Sequence, residues 1–438
     1  MTTRTRFLAL GALALFAVPA QAQTKSDTST LQPIKVQYMR PFDRRGMNMF
    51  ETPKIAGPAY TGFQIQFGAA FTQQFQALDH ENTAEPRVVS GVNQNQLIKI
   101  GNGFNNANAN LYINTQLAKG IRVQLTTYLS SRRHNDTWVK DGFIQIDDSP
   151  FDVKLLQDMM KVLTVKIGHM EVNYGDQHFR RSDNGNALMN PFIGNSIMDA
   201  FTTEVGTEII AQKNGFLGVA AFTNGEIRGN IVRPRDRGPA HMYKVGYDKQ
   251  INKDLRVRLT GSYRGQASAI SNTLYGGDRA GSRFYFVMEN TAATESANPT
   301  SGAINPGFSD VLKATMINPF IKYRGLELFG LIENARGRNA TETVNRKVDQ
   351  QMFEAVYRFW GEERLFVGGR TQRWSGRLAG QTADNKIGRM EVGGGWFITP
   401  SLLMKAEYVN QKYTDFPTTD ILNGGKFKGF MIEGVVAF

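Results

Sequence analysis

From Phe63 onward the chain alternates apolar and polar residues with a period of two, in one stretch after another. In Phe63–Phe75, the positions Phe63, Ile65, Phe67, Ala69 and Phe71 alternate with Gln64, Gln66, Gly68, Ala70, Thr72 and Gln74. In Ala107–Leu117, Ala109, Leu111, Ile113 and Leu117 stand against Asn108, Asn110, Tyr112, Asn114 and Gln116. In Leu255–Tyr263, Leu255, Val257, Leu259 and Tyr263 alternate with Arg256, Arg258, Thr260 and Ser262. Successive side chains of a strand point to opposite faces, so each segment has one apolar and one polar face. A soluble sandwich would also alternate. Many such strands of about ten residues in series are what a transmembrane barrel requires.

The joints between these segments sharpen that reading. Short ones fall at Lys119-Gly120, Lys213-Asn214-Gly215, Ile251–Asp254, Arg324-Gly325, Trp360–Glu363 and Thr399-Pro400. Between them lie long polar ones: Leu78–Asn106, Ser130–Asp136, Asn173–Thr202, Asn224–Ala240, Gly265–Asp310, Gly337–Lys347, Ser375–Asp384 and Thr414–Gly425. Tight periplasmic turns and long external loops give outer-membrane barrels this rhythm. Asp148–Val162 falls on the short side, yet suggests a helical turn near Leu155–Met160. The sequence therefore predicts an all-β, transmembrane antiparallel β-barrel of about sixteen strands. Both chain ends fall in the periplasm. A span at Arg283–Met288 would change the count.

The first residues fit an exported protein. Arg4 and Arg6 precede an apolar run from Phe7 to Val18, then Ala20-Gln21-Ala22. That is the layout of a secretory leader, 1–22, cut after Ala22. The apolar run is shorter than the roughly 20 residues a permanent spanning helix needs. Residues 23–60 lack periodicity and read as a periplasmic N-terminal arm, with 61–438 as the barrel. The chain has no cysteine, which removes disulfide and thiolate chemistry. Its formal charge of +12 includes Arg4 and Arg6 of the leader and favours anionic partners, solutes or lipid phosphates, over nucleic acid.

The densest charge lies in Gly175–Phe201, between the fifth and sixth strands. Asp176, His178, Arg180, Arg181, Asp183 and Asp199 sit there among Gly and Asn, with Glu204 just beyond. Unpaired charges cannot be buried without a cost of several kcal/mol, so they face water or partners. Folded into a lumen, the two arginines would present fixed positive charge and the acids an opposing face. Alternatively, arginines and acids pair with one another and pin the loop to the wall. Lys166, Arg256 and Arg258 are candidates for the pore wall. Arg132-Arg133-His134 and Arg233-Pro234-Arg235-Asp236-Arg237 belong to external loops, where lipopolysaccharide phosphates are one possible contact. The histidines show no metal-ligand spacing, there is no GxSxG, P-loop or GxGxxG, and no cofactor is implied.

In its leader, alternating strands, terminal Phe438 and long charged loop, the sequence resembles bacterial outer-membrane porins. It looks most like the phosphate-selective porin O/P-like group. The resemblance implies an inward-folded loop that narrows a water-filled channel, passive diffusion of small hydrophilic solutes with mild anion preference, no enzymatic activity, and a homotrimer. Two other readings stay open: an outer-membrane barrel enzyme of lipid-hydrolase type, and a structural or adhesive barrel without transport.

Overall fold

The computed structural model describes residues 31–55, 57–133, 136–227, 231, 236–276 and 283–438. The expected leader (1–22), His134 and Arg233-Pro234-Arg235 lie outside them. Residues 33–438 form one compact unit.

Sixteen long strands make up the wall. The first five are β1 (Gln64–Glu81), β2 (Asn108–Ala118), β3 (Ile121–Leu129), β4 (Thr137–Ile146) and β5 (Leu163–Glu171). The next five are β6 (Thr203–Lys213), β7 (Phe216–Thr223), β8 (Ala240–Gln250), β9 (Leu255–Gln266) and β10 (Val311–Tyr323). The last six are β11 (Leu326–Arg338), β12 (Arg346–Phe359), β13 (Leu365–Gly376), β14 (Asn385–Thr399), β15 (Leu402–Thr414) and β16 (Lys426–Ala437). Each pairs antiparallel with its neighbours in sequence. A two-residue strand at Gly103–Phe104 adds a further pairing to β1.

Closure comes from β1, which pairs with β2 on one side and β16 on the other. Phe71 lies opposite Ala109 in one ladder and Val436 in the other. Phe438 continues the seam, its N–H donating to Ala69 O and its carbonyl accepting from Ala69 N, both at 2.9 Å. No edge is left, as hydrocarbon demands.

The alternation is inverted relative to a soluble protein. Along β1, Phe67 and Phe71 are exposed while Gln66, Thr72, Gln74 and Gln76 are buried. On β9, Leu259 faces out while Arg258 and Thr260 are buried. On β16, Phe430 and Ile432 face out while Met431, Glu433 and Val435 turn in. Apolar residues thus form the belt and polar ones the lining. No helix among the described residues is long and apolar enough to cross a membrane.

The turns follow their residues. Asn214 and Gly215, between β6 and β7, both have positive φ (54° and 90°), the geometry that Asn-Gly favours in a two-residue hairpin. The joint at Asp148–Val162 contains α1 (Lys154–Met160), where a helical turn is expected. Arg283–Met288 is not a strand. It forms turns inside the long-loop end, with Phe284 and Val287 buried, so it adds no span to the sixteen strands.

Candidate functional site: the filled interior

The interior is not an empty tube. Among the described residues, irregular segments enter it, chief among them residues 172–202 between β5 and β6, part of the β9–β10 loop near Phe284, and residues 33–55. The expected arm is therefore found folded into the short-turn mouth. Val36, Phe50 and Glu51 are buried there, because the barrel offers partners that water would otherwise supply.

The β5–β6 loop fits its setting by two devices. Tyr174, Ile193, Ile197 and Met198 bury apolar side chains against Met316, Phe320, Phe329 and Trp374 of the wall and neighbouring loops. Its irregular backbone has few partners of its own, so inward side chains of the wall supply them. Asp176 N donates to Asn318 Oδ1 (2.9 Å), Ile197 N to Gln372 Oε1 (3.0 Å), Met198 N to Gln350 Oε1 (2.7 Å) and Ile193 N to Glu407 Oε2 (2.6 Å). Lys405 Nζ donates to the carbonyls of Ala187, Asn190 and Phe192. Non-helical backbone at membrane depth is tolerated only where protein satisfies it in this way. Gly175, with φ +70°, lies so close to Met316 that any side chain would collide with it.

The charges at this loop are nearly all paired. Asp176 meets Arg258 at 2.7 Å and Lys244 at 2.8 Å. Burial alone would raise its carboxyl, but those two cations overcome it and hold it well below the usual range. Arg180 pairs with Glu354 at 2.5 Å and Glu327 at 3.6 Å. Arg181 pairs with Asp199 at 2.6 Å and lies over the Phe201 ring at 3.9 Å. Glu204, at the start of β6, pairs with Arg264. His178 Nδ1 lies 2.6 Å from Glu171, and burial lowers the imidazole despite that carboxylate. On the wall, Arg256 and Arg258 share Asp248 at 2.7 and 3.0 Å, and Lys166 meets Glu208 at 2.9 Å.

Open space is found beside the loop on the β2–β5 side. A cavity of about 180 Å³ runs between the loop, the arm and β2–β5. Of the expected residues, Lys166, His178, Arg181 and Asp183 line it. Asp176, Arg180, Asp199, Glu204, Arg256 and Arg258 are not in its lining. Asp176, Arg180 and Arg258 hold the loop to the wall, and Asp199 pairs with Arg181 within the loop. Glu204 joins β6 to Arg264 of β9, and Arg256 bonds Asp248 and the arm's Asn48. The loop residues that escape full burial are His178, Phe179, Asp183, Asn186 and Asn195, and all but Asn195 face this space.

Sequence reasoning missed the wall opposite. Arg122, Lys140 and Asp141 face the cavity, as does Arg40 from the arm. Lys140 is bound to Glu171 and Asp183, both at 2.8 Å. Arg122 differs: it is 3% exposed, and its hydrogen bonds go only to the amides of Asn114, Gln124 and Gln145. Its Nε has no partner and, among the described residues, no carboxylate lies within ion-pair distance. The alternation Ile121-Arg122-Val123-Gln124-Leu125 carries the signal, since it turns Arg122 and Gln124 to the same inward face.

No model of a known protein family matches the sequence, and no curated protein matches it. Solved structures do. The chain is similar to an anion-selective porin from Comamonas acidovorans, with a TM-score of 0.51 at 11% identity, covering 86% of this chain and 100% of that one. It is also similar to the outer membrane channel DcaP of Acinetobacter baumannii, with a TM-score of 0.51 at 8% identity, covering 87% and 99%. The fold is the porin-type barrel of the bacterial outer membrane. At these identities the likeness carries the fold alone, and it does not single out the phosphate-selective group.

Proposed function

We propose that this protein is an outer-membrane diffusion channel for small hydrophilic solutes, with a mild preference for anions. The observation that carries this reading is the polar cavity along β2–β5, which holds a buried arginine, Arg122, whose hydrogen bonds go to amides rather than to a carboxylate. Five cationic side chains line the cavity (Arg40, Arg122, Lys140, Lys166 and Arg181) against four carboxylates (Glu51, Asp141, Glu171 and Asp183). Glu171 and Asp183 are bound to Lys140, while Glu51 is bound to Lys244 and Arg258. Lys166 and Arg181 are bound in turn to Glu208 and Asp199. Arg122, hydrogen-bonded to neutral amides, is thus the cation in which this reading places the anion preference, and reduced water screening in a narrow space makes one such charge count.

In this reading the loop 172–202 is the constriction. Arg181, Asp183 and His178 form its face toward the solute, Arg180 and Asp176 fix it to the wall, Asp199 braces Arg181 within it, and Glu204 belongs to the wall beside it. Assembly as a homotrimer and contact with lipopolysaccharide through the long loops belong to the same proposal. Phosphate is one anion to include in a solute panel, because the sequence resembles the phosphate-selective group.

The apolar cluster inside the lumen favours a second reading, a structural barrel closed to solutes. Planar-bilayer recording separates the two. A channel gives stepwise currents and a reversal potential on the anion side in a salt gradient. A closed barrel gives none.

A further inference from the structure

We infer that residues 33–55 are an internal plug: a separable strap across the short-turn mouth whose displacement widens the path. This rests on the channel reading above.

The strap crosses the whole mouth. At its start Lys35 N donates to Gln66 Oε1 of β1 at 2.8 Å, and Gln37 N donates to Gln116 Oε1 of β2 at 2.6 Å. Phe42 stacks on Tyr112 of β2 with ring centres 3.6 Å apart. Arg44 N reaches Pro400 O, in the β14–β15 turn, at 3.0 Å. The chain then returns past β11 and β9, where Arg256 donates to Asn48 O at 2.9 Å. Lys54 finally bonds to Asp147 O and Leu163 O, at the foot of β4 and β5. Arg40, Pro41, Phe42, Phe50, Glu51 and Thr52 line the cavity, so a solute leaving toward this mouth meets the strap.

Two observations make it separable rather than part of the wall. The barrel closes through β1 and β16 without it. Among the described residues, Arg44 N to Pro400 O is its one backbone-to-backbone bond outside itself, and side chains make the rest of its attachment. The firmest hold is a single knot. Glu51 meets Lys244 at 2.8 Å and Arg258 at 2.7 Å, and the same two cations hold Asp176 of the constriction loop. Phe50 seals it, edge-on to Phe179 and Phe320 at 5.8 and 5.3 Å. Because strap and loop share these cations, releasing Glu51 also loosens the constriction.

The absence of cysteine gives a clean test. In full-length protein, Gln37→Cys and Gln116→Cys are joined by a reducible bis-thiosulfonate cross-linker, and single-channel currents are recorded before and after reduction. A second variant lacks residues 33–55 behind an intact leader, and a third carries Glu51→Gln. The tether should abolish the largest openings and reduction should restore them. Deletion should raise conductance about twofold or more, and Glu51→Gln should lengthen large openings. Identical currents from tethered, reduced and untreated channels would overturn the plug while leaving the channel standing. If the deletion fails to insert, the tether comparison alone decides. Absence of current in every variant, the deletion included, would overturn the channel reading and the plug with it.

Discussion

The two sides of the barrel interior use the same residue types for opposite ends. Against β8–β16, each arginine that meets the loop has a matching acceptor. Arg370 meets Glu391 at 2.6 Å, Arg180 meets Glu354 at 2.5 Å, and Arg258 meets Asp176 at 2.7 Å. Ile193, Ile197, Phe320 and Trp374 pack among them. Against β2–β5 the space stays open, and Arg122 finds only neutral amides. A paired buried charge is a fastener, since removing one member strands the other. A charge held only by amides has no such partner to strand. The β2–β5 side has fasteners too, Lys140 to Asp183 among them, but it also carries Arg122 facing the open space.

The largest effect should come from breaking a fastener. Arg180→Met leaves Glu354 without its 2.5 Å partner, although Arg370 lies 3.9 Å away and Glu327 keeps Arg358. A loss of about 3 kcal/mol is expected, the low end for a broken buried pair, read from urea unfolding of the folded barrel. Ion selectivity of channels that still insert should hardly move. A large selectivity change with unchanged stability would exchange the roles of the two sides.

Arg122→Gln should do the reverse. Its bonds go to amides that Gln can still partly satisfy, so about 2 kcal/mol of stability is at stake, less than a broken ion pair. The reversal potential should move toward cations, most at low salt where screening is weakest.

Acid should test the fastened side through Asp176 and Glu51. Lys244 and Arg258 outweigh burial and lower both carboxyls, Glu51 to about 2 and Asp176 further. A depressed folded value gives stability that is complete above the unfolded value of about 4, and lost as pH falls through the folded one. Loop and strap should therefore stay docked at pH 5 and release only well below pH 4, as followed by acid-protease cleavage within 172–202. Release near pH 6 would mean that groups other than this knot control docking, His178 and the acids facing the loop among them. Burial lowers the His178 imidazole, which argues against that residue.

The smallest effect belongs outside both regions. Arg132→Glu with Arg133→Glu changes a long-loop site where Arg132 bonds to Ser296 O and Arg133 lies over Trp138. Selectivity should stay close to that of the unaltered channel.

How much of this was legible follows from the range of each interaction. Strands, closure and joint parity are local patterns of period two and turn chemistry, so Phe67 against Gln66, or Asn214-Gly215, announces them directly. The inward position of Arg122 is written in the same alternation, but alternation alone does not separate an arginine held by amides from the many lining charges held by acids. The pairing of Arg180 with Glu354 was not legible, since it joins residues 174 positions apart and depends on how the loop lies. Nor was the strap: Met39–Gly46 has no periodicity, and its place depends on partners such as Tyr112 and Pro400 far along the chain.

Cysteine accessibility tests the central claim, that solutes pass along β2–β5 while the opposite side is sealed. Gln124→Cys sits in the cavity lining, and Gln372→Cys sits in the fastened side beside Ile197. A charged methanethiosulfonate reagent added during single-channel recording should block current through the first and leave the second unmodified. Block at Gln372→Cys with none at Gln124→Cys would contradict the account.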